Sequence, residues 1–214
     1  MNDGFLGGEV LRLEAQCPAA RLLLAHGAGA PMDSDFMNAL ATALAEQGIS
    51  TLRFEFPYMA ARRSGAGKRP PDRAPVLLDS WREAFGRARE EGGNLPLLVG
   101  GKSMGGRMAS LVADGLGASG LCCYGYPFHP PGRTDKLRTE HLASLATPAL
   151  ILQGTRDPFG KPDLVNGLAL SPRLSVHWLD DGDHDFKPRK ASGLDQTALI
   201  GEAAVATRKF VDSL

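Results

Sequence analysis

A serine flanked by glycines follows an apolar run near the middle of the chain, and residues of these types could perform nucleophilic chemistry. The segment Gly101-Lys102-Ser103-Met104-Gly105 fits the pattern G-x-S-x-G, in which a sharp strand-to-helix turn raises a serine hydroxyl above a sheet. Glycines two residues before and after Ser103 suit such a turn, because the flanking positions leave no room for bulk. A bare pattern of this kind also arises by chance, so the rest of the chain must supply the partners of the serine.

Two nucleotide-binding motifs resemble parts of the chain, and both fail on spacing. A phosphate-binding loop requires a glycine five residues before the Gly101-Lys102 pair, and that position is Pro96, inside the apolar run. The segment Gly27-Ala28-Gly29 could begin a dinucleotide fingerprint, but the third glycine position is Met32. We therefore expect no nucleotide, and no other residue pattern indicates a cofactor.

A serine nucleophile needs a histidine base, which a carboxylate orients. Where a G-x-S-x-G turn carries the serine, the chain order is serine, then acid, then histidine, which here selects Ser103, Asp157 and His184. Asp157 comes shortly after an apolar run, and His184 lies between the last predicted strand and the last predicted helix. Four aspartates close to His184 in sequence remain alternatives for the carboxylate: Asp180, Asp181, Asp183 and Asp185.

Backbone N–H groups near the serine could stabilise the negative charge that develops on a carbonyl oxygen during attack. The segment His26-Gly27-Ala28-Gly29 follows an early predicted strand, where one such donor is expected. We assign one donor to Met104, which follows the serine directly, and one to Ala28, with Gly29 as the alternative. His26 is expected to brace this loop rather than to react.

Further candidates lie in the connection Tyr126–Ala146, where Phe128 and His129 are predicted to contact a substrate. Three prolines stiffen the first part of this connection and disfavour a mobile helical lid, which predicts a shallow, open pocket. The segment Pro57–Pro75 is predicted as a solvated loop, although its basic residues could form a rim that favours acidic substrates. No histidine, cysteine or acidic cluster has metal-ligand spacing, so no metal is predicted.

Strand-sized apolar runs alternate with helical patterns along the chain. This alternation predicts an α/β fold with a doubly wound, mostly parallel sheet, flanked by helices with minimal or no cap, as a single domain over residues 1–214. In such sheets the ligand site lies beyond the carboxyl ends of the strands, which is where the candidate residues fall. The predicted strands are Val10–Leu13 at a sheet edge, Arg21–Ala25, Ser50–Phe56, Leu95–Val99, Gly120–Tyr124, Ala149–Gln153 and Ser175–Leu179.

The composition limits the class of partner. The 214 residues include 24 Lys+Arg and 24 Asp+Glu, and a neutral chain is a poor generic binder of nucleic acid. The longest apolar runs are strand-sized, so no membrane span is expected, and the first residues lack a secretory pattern. Three cysteines, of which two are adjacent, suggest reduced thiols in a cytoplasmic protein. We expect a small-molecule substrate, and the oligomeric state stays open.

The chain resembles the α/β-hydrolases, in particular the small lidless branch related to dienelactone hydrolase. More narrowly, it is similar to a hydrolase-like family that includes a testis-expressed protein and a subunit of the non-specific-lethal histone acetyltransferase complex. The shared features are His26-Gly27-Ala28-Gly29, Gly100–Arg107, Tyr126-Pro127-Phe128-His129-Pro130-Pro131, Lys136-Leu137-Arg138 and a histidine in the last loop.

The resemblance implies the fold and a Ser-Asp-His triad, but it does not imply a substrate. Dienelactone hydrolases have a cysteine nucleophile where this chain has Ser103, so their substrate does not carry over. The chain is expected to be a serine hydrolase that cleaves a small soluble ester or a related acyl bond. A non-catalytic interaction or scaffold module of the same fold is the alternative, and nothing in the sequence favours a peptidase.

Overall fold

The computed structural model describes residues 10–91 and 93–214. Its strands are β1 Leu11–Leu13, β2 Ala20–Ala25, β3 Ile49–Phe54, β4 Leu97–Lys102, β5 Leu121–Tyr124, β6 Ala149–Gly154 and β7 Leu174–Leu179. Its α-helices are α1 Asp35–Glu46, α2 Pro57–Arg63, α3 Ala74–Glu90, α4 Met104–Ser110, α5 Ala113–Leu116, α6 Pro162–Val165 and α7 Gln196–Val211. Within these described ranges no helix is both long and apolar enough to cross a membrane.

The strands form one seven-stranded sheet in the order β1-β3-β2-β4-β5-β6-β7. All neighbouring pairs are parallel except β1, which pairs with β3 in the antiparallel direction at one edge. Every residue of β3, β4, β5 and β6 is buried, as expected for strands covered on both faces. The predicted doubly wound, mostly parallel α/β sheet is confirmed.

Helices cover both faces of this sheet because successive strand residues point to opposite sides. Leu23 belongs to the core cluster that α3 and α4 cover through Trp81 and Met108. Its neighbour Leu22 belongs to the opposite cluster, which α1 and α7 cover with residues such as Leu40. The carboxyl ends of the parallel strands therefore meet at a single edge, between the two helical layers.

The two long connections differ from one another. Pro57–Pro75 was predicted as a loop, but it begins with α2, whose residues Tyr58 and Met59 are buried. Proline is compatible with the first turn of a helix, so Pro57 does not prevent α2 from forming. The connection Tyr126–Ala146 contains one short 3₁₀ turn, Glu140–Ala143, and no α-helix, which agrees with the prediction of little or no cap.

The backbones of β2, β4 and α4 approach each other closely at glycine positions. A Cβ atom on Gly101 would lie 2.6 Å from the carbonyl oxygen of Ala25 and 2.6 Å from the backbone nitrogen of Gly106. A Cβ atom on Gly105 would lie 2.5 Å from the same Ala25 oxygen. These neighbours are backbone atoms, so no rotamer change could accommodate a side chain there.

We expect Gly101→Ala to lower the free energy of unfolding by about 1–3 kcal/mol, the usual cost of forcing atoms into a packed interior. Urea denaturation of the purified variant measures this loss. Gly115→Ala in α5 is the matched control, because a Cβ atom there meets nothing within 4 Å. The control should be neutral or slightly stabilising, since alanine favours a helix over glycine. Equal stability of the two variants would contradict the close approach.

Candidate active site

Ser103 lies at the sharp turn that joins β4 to α4. Its backbone has φ 51° and ψ −113°, a region that a residue with a side chain rarely adopts. The Ser103 N–H donates to the carbonyl oxygen of Tyr124 at 3.0 Å, and the Ser103 carbonyl accepts from Arg107 N at 3.0 Å as α4 begins. Strained backbone of this kind is concentrated at functional sites, where the surrounding structure holds it.

The side chains of Ser103, His184 and Asp157 form a hydrogen-bonded series. His184 Nδ1 lies 2.7 Å from Asp157 Oδ2, and His184 Nε2 lies 2.9 Å from Ser103 Oγ. An ionised carboxylate only accepts hydrogen bonds, so the Nδ1–H of a neutral His184 donates to Asp157. His184 Nε2 is then the acceptor for the Ser103 hydroxyl, which is the arrangement that general-base activation requires.

Asp157 has no exposed surface, and both of its carboxylate oxygens are hydrogen-bonded. Its Oδ1 accepts from Phe159 N at 2.8 Å, while Oδ2 accepts from His184. The Phe159 ring packs edge-on against the His184 ring, with 4.6 Å between ring centroids. The imidazole is therefore held by a carboxylate and an aromatic ring that follow the same strand, β6.

The alternative carboxylates near His184 have other partners. Asp181 accepts from Arg189 Nε at 2.6 Å, and Asp183 Oδ1 accepts backbone N–H groups within its own loop. Asp180 Oδ1 accepts from the N–H of Asp181 at 3.0 Å. Asp185 forms an ion pair with a buried lysine. Asp157 is thus the carboxylate that contacts His184.

Lys102, which the sequence analysis did not single out for the site, links the turn at Ser103 to the loop that carries His184. Its Nζ donates to the carbonyl oxygen of His184 at 2.7 Å and lies 3.3 Å from Asp185 Oδ1. Burial lowers the pKa of Lys102, and the charge of Asp185 opposes this shift. A lysine is usually exposed, so no signal in the sequence indicated that Lys102 is buried in contact with the His184 loop.

His26 braces the loop after β2, as predicted. Its Nε2 accepts from Phe56 N at 3.2 Å, so the proton of the neutral ring is on Nδ1, which donates to the Gly27 carbonyl at 2.7 Å. Burial lowers the pKa of His26 and keeps this ring neutral. The ring therefore has no proton-accepting nitrogen left for chemistry at Ser103.

Tyr58 also contacts the loop after β2. It is a second residue that the sequence analysis did not identify. Its hydroxyl donates to the Ala28 carbonyl at 3.0 Å and lies 3.4 Å from the Gly27 oxygen. In a trans peptide the C=O and the following N–H point in opposite directions. The N–H groups of Ala28 and Gly29 therefore point away from Tyr58, which is buried in the core.

Met104 is the first residue of α4, so helix geometry leaves its N–H without an intrahelical acceptor. A cleft of about 350 Å³ lies next to this helix start. Ser103, His184 and the loop residues 27–30 line it. Its apolar wall consists of Phe36, Met37 and Phe159. The cleft therefore presents a hydroxyl, an imidazole and loop backbone to a molecule that enters it.

Two predicted substrate contacts lie elsewhere. Phe128 has no exposed surface and packs in the core, with its ring centroid 5.0 Å from that of Tyr126, so the prediction that it contacts a substrate is wrong. His129 is 3% exposed and does not line the described cleft, and its ring centroid lies 6.2 Å from that of Phe159, which does line it. The local sequence could not show that these two positions are buried, because both follow a strand in a proline-rich segment.

The basic residues of 57–75 do not line the described cleft. Arg63 forms ion pairs with Asp33 and Glu55, each at 2.8 Å, so carboxylates of the protein already neutralise its charge. Arg62 stacks over the Tyr58 ring, with its guanidinium carbon 5.1 Å from the ring centroid. Arg62 and Arg63 thus support the loop after β2 and its neighbour Tyr58.

Comparison with known families gives one match over most of the chain. The family described as "Alpha/beta hydrolase domain" matches residues 18–212. This range contains each of the residues that the structure brings together around Ser103.

Solved structures with the same fold have low sequence identity to this chain. A serine hydrolase without a lid from Xanthomonas campestris is 20% identical, with a TM-score of 0.72 over 94% of this chain and 88% of that chain. A dienelactone hydrolase from Anabaena variabilis is 16% identical, with a TM-score of 0.69 over 92% and 89%. An esterase domain from a Rhodothermus marinus protein is 16% identical, with a TM-score of 0.63 over 95% and 98%. At these identities the likeness is one of fold.

Proposed function

We propose that this chain, which belongs to the alpha/beta hydrolase domain family, is a serine hydrolase that acts on a small soluble ester or a related acyl bond. The observation that carries the proposal is the series of hydrogen bonds from Ser103 through His184 to the buried Asp157. Family membership supports hydrolytic activity, and this series supports the use of serine as the nucleophile.

The reaction would proceed in two halves. Ser103 Oγ attacks the acyl carbonyl carbon while its proton passes to His184 Nε2, and Asp157 stabilises the imidazolium that forms. The imidazolium then gives its proton to the leaving alcohol or amine, which departs and leaves an acyl group on Ser103. A water molecule repeats the sequence, with His184 taking its proton, and the acid product is released as Ser103 regains a hydrogen.

Negative charge on the carbonyl oxygen would be stabilised by the N–H groups of Met104 and Ala28, with Gly29 as the alternative to Ala28. Donors that are fixed before the reaction begins contribute most, because they need no reorganisation when the charge develops. Hydrogen bonds from His26 and Tyr58 to the carbonyls of this loop support that fixed orientation. Tyr58 acts here as a positioning residue, since it contacts the loop and not the substrate.

A small substrate fits the size and lining of the cleft. Its volume of about 350 Å³ is near the lower end of the range for ligand pockets, about 300–1,000 Å³. Phe36, Met37 and Phe159 offer apolar surface for a short acyl group. The connection Tyr126–Ala146 contributes no α-helical cap that could enclose a long chain.

A non-catalytic interaction module is the second candidate, and the narrower resemblance to a chromatin-complex subunit is what suggests it. The backbone strain at Ser103 and the burial of Asp157 favour catalysis instead, because both are costly and neither is needed for a binding surface. A fluorophosphonate probe distinguishes the two candidates, since it labels only an activated serine.

We expect Ser103→Ala to lower kcat for p-nitrophenyl acetate by about 10⁶-fold and to abolish fluorophosphonate labelling, because the nucleophile is lost. Ser80→Ala is the control, since Ser80 is a buried serine whose hydroxyl donates to the Val76 carbonyl within α3. The control should keep both labelling and activity. Full activity of rigorously purified Ser103→Ala would refute the assignment, and no labelling of the folded wild type would favour the interaction module.

We expect Tyr58→Phe to lower kcat by about tenfold with little change in KM, a smaller loss than the roughly 10²–10³-fold that follows removal of a donor itself. Tyr124→Phe removes another buried tyrosine hydroxyl, which is bonded to Thr207 at 3.1 Å, and serves as the control. Each variant should lose about 1 kcal/mol of stability. Equal kcat values for the two variants would refute the proposed positioning role of Tyr58.

We expect kcat/KM for p-nitrophenyl esters to be highest for short acyl chains and to show no activation at a lipid interface. Each methylene that stays in water forgoes about 0.8 kcal/mol of burial, so chains that extend beyond the cleft gain nothing from their added length. A series from acetyl to dodecanoyl, measured below and above the critical micelle concentration, tests this expectation. A steady rise beyond octanoyl, or a jump in rate at the micelle threshold, would reveal a longer apolar cleft.

A further inference from the structure

A second pocket, of about 520 Å³, lies between α4 and the connection that follows β5. Residues of both elements line it, among them Arg107, Leu111, Leu137, Arg138, Glu140 and His141. None of the described residues that line the cleft at Ser103 also lines this pocket. The pocket is therefore separate from the cleft at Ser103.

The pocket lining includes the guanidinium groups of Arg107 and Arg138, and neither has a carboxylate partner among the described residues. Arg107 Nε is buried and has no hydrogen-bond partner, and no ion pair joins Arg107 or Arg138 to an acid among the described residues. Other arginines do have such partners, as Arg133 has with Asp135 in the same connection. Unpaired like charges in a partly buried site repel each other, which is unfavourable unless an anion is bound.

Arg107, Arg138 and His141 line the same pocket, and the charge of Arg107 acts on the other two. Burial lowers the pKa of Arg138, and the charge of Arg107 lowers it further. Burial also lowers the pKa of His141, again with a contribution from Arg107, while the charges of Asp114 and Glu140 oppose this shift. Two guanidinium groups and one imidazole thus line the same pocket.

The acidic groups nearby do not neutralise the arginines. Glu140 is exposed at the pocket wall and forms no ion pair with either arginine. The carboxylate of Asp114 accepts from the N–H groups of Ala146 and Thr147, at 3.0 and 2.7 Å. A positive region therefore stays open for an anion from outside the protein.

The position of His141 is fixed by a hydrogen bond to α4. Ser110 Oγ donates to the Arg107 carbonyl at 2.8 Å, so His141 Nε2–H donates to Ser110 Oγ at 2.8 Å. This bond fastens the connection to the last turn of the helix. Helix α4 and the connection that form the pocket are thereby held together by the protein's own hydrogen bond.

Apolar surface lies beside the positive region. Leu111 is 38% exposed and Leu137 is 47% exposed, and both line the pocket. Large exposed apolar side chains next to a charged group suit a ligand that has both a polar head and an apolar body. Inorganic ions alone would leave this surface in water.

We propose that this pocket binds an organic oxyanion, a carboxylate or a phosphate group held between Arg107 and Arg138, with its apolar part against Leu111 and Leu137. A guanidinium matches both head groups through two parallel N–H···O bonds. Arg107 lies one helical turn after Ser103, so the ligand would rest on the helix that starts at the candidate nucleophile.

Isothermal titration calorimetry at low ionic strength tests the proposal, with phenylphosphonate, benzoate and inorganic phosphate as the probes. We expect the organic anions to bind the wild type and Ser103→Ala equally, because this pocket and the cleft are separate. Arg107→Gln and Arg138→Gln should each weaken binding by about tenfold or more, through loss of a charge-assisted bidentate pair. Tighter binding of phenylphosphonate would identify a phosphate head group, and tighter binding of benzoate a carboxylate.

Two controls keep the outcome clear. Arg133→Gln removes an exposed, ion-paired arginine from the same connection and should bind the probes as the wild type does. Arg138→Lys keeps the charge but loses the planar fork, so it should bind with intermediate affinity. Without anion, Arg138→Gln should melt no lower than the wild type, since it relieves repulsion. Equal affinity of the wild type and both glutamine variants, an equal loss in Arg133→Gln, or no binding of any probe would overturn the proposal.

Discussion

The contact between backbones at the ends of β2 and β4 determines the geometry of the whole site. Cβ atoms on Gly101 and Gly105 would both lie within 2.6 Å of the Ala25 carbonyl oxygen, so only glycine permits this approach. The same contact brings Gly27 beside the turn, where its Cβ position would be 3.8 Å from Ser103 Cβ. A single packing constraint thus places the hydroxyl and the loop of N–H donors next to each other.

A second close approach joins the two loops that carry the acid and the base. A Cβ atom on Gly154, at the end of β6, would lie 2.3 Å from the Gly182 carbonyl oxygen in the loop after β7. Lys102 then connects this pair of loops to the turn at Ser103 through the His184 carbonyl. The candidate catalytic groups come from three strands, and backbone contacts and one buried lysine hold them in a common frame.

The sequence was sufficient for the residues whose positions follow from topology. Because the carboxyl ends of parallel strands share one edge, chain order favoured Ser103, Asp157 and His184, with four aspartates near His184 left as alternatives for the carboxylate. Positions that depend on tertiary burial were not predictable. Helix α2 is too short to form from intrinsic propensity and exists because Tyr58 and Met59 are buried. The prediction for Phe128 failed and Lys102 was overlooked for the same reason, since neither a loop phenylalanine nor a lysine reveals its burial locally.

The hydrogen bonds of His26 impose an acid limit on the folded protein. Only a neutral ring can donate to Gly27 and accept from Phe56 at once, so protonation of Nε2 would break the second bond. Burial lowers the pKa of His26 below its model-compound value of 6.5. As the pH falls through about 6.5, the unfolded chain takes up a proton that the folded chain does not, and the free energy of unfolding decreases. A histidine that takes no part in proton transfer thus contributes to the sensitivity of the fold to mild acid.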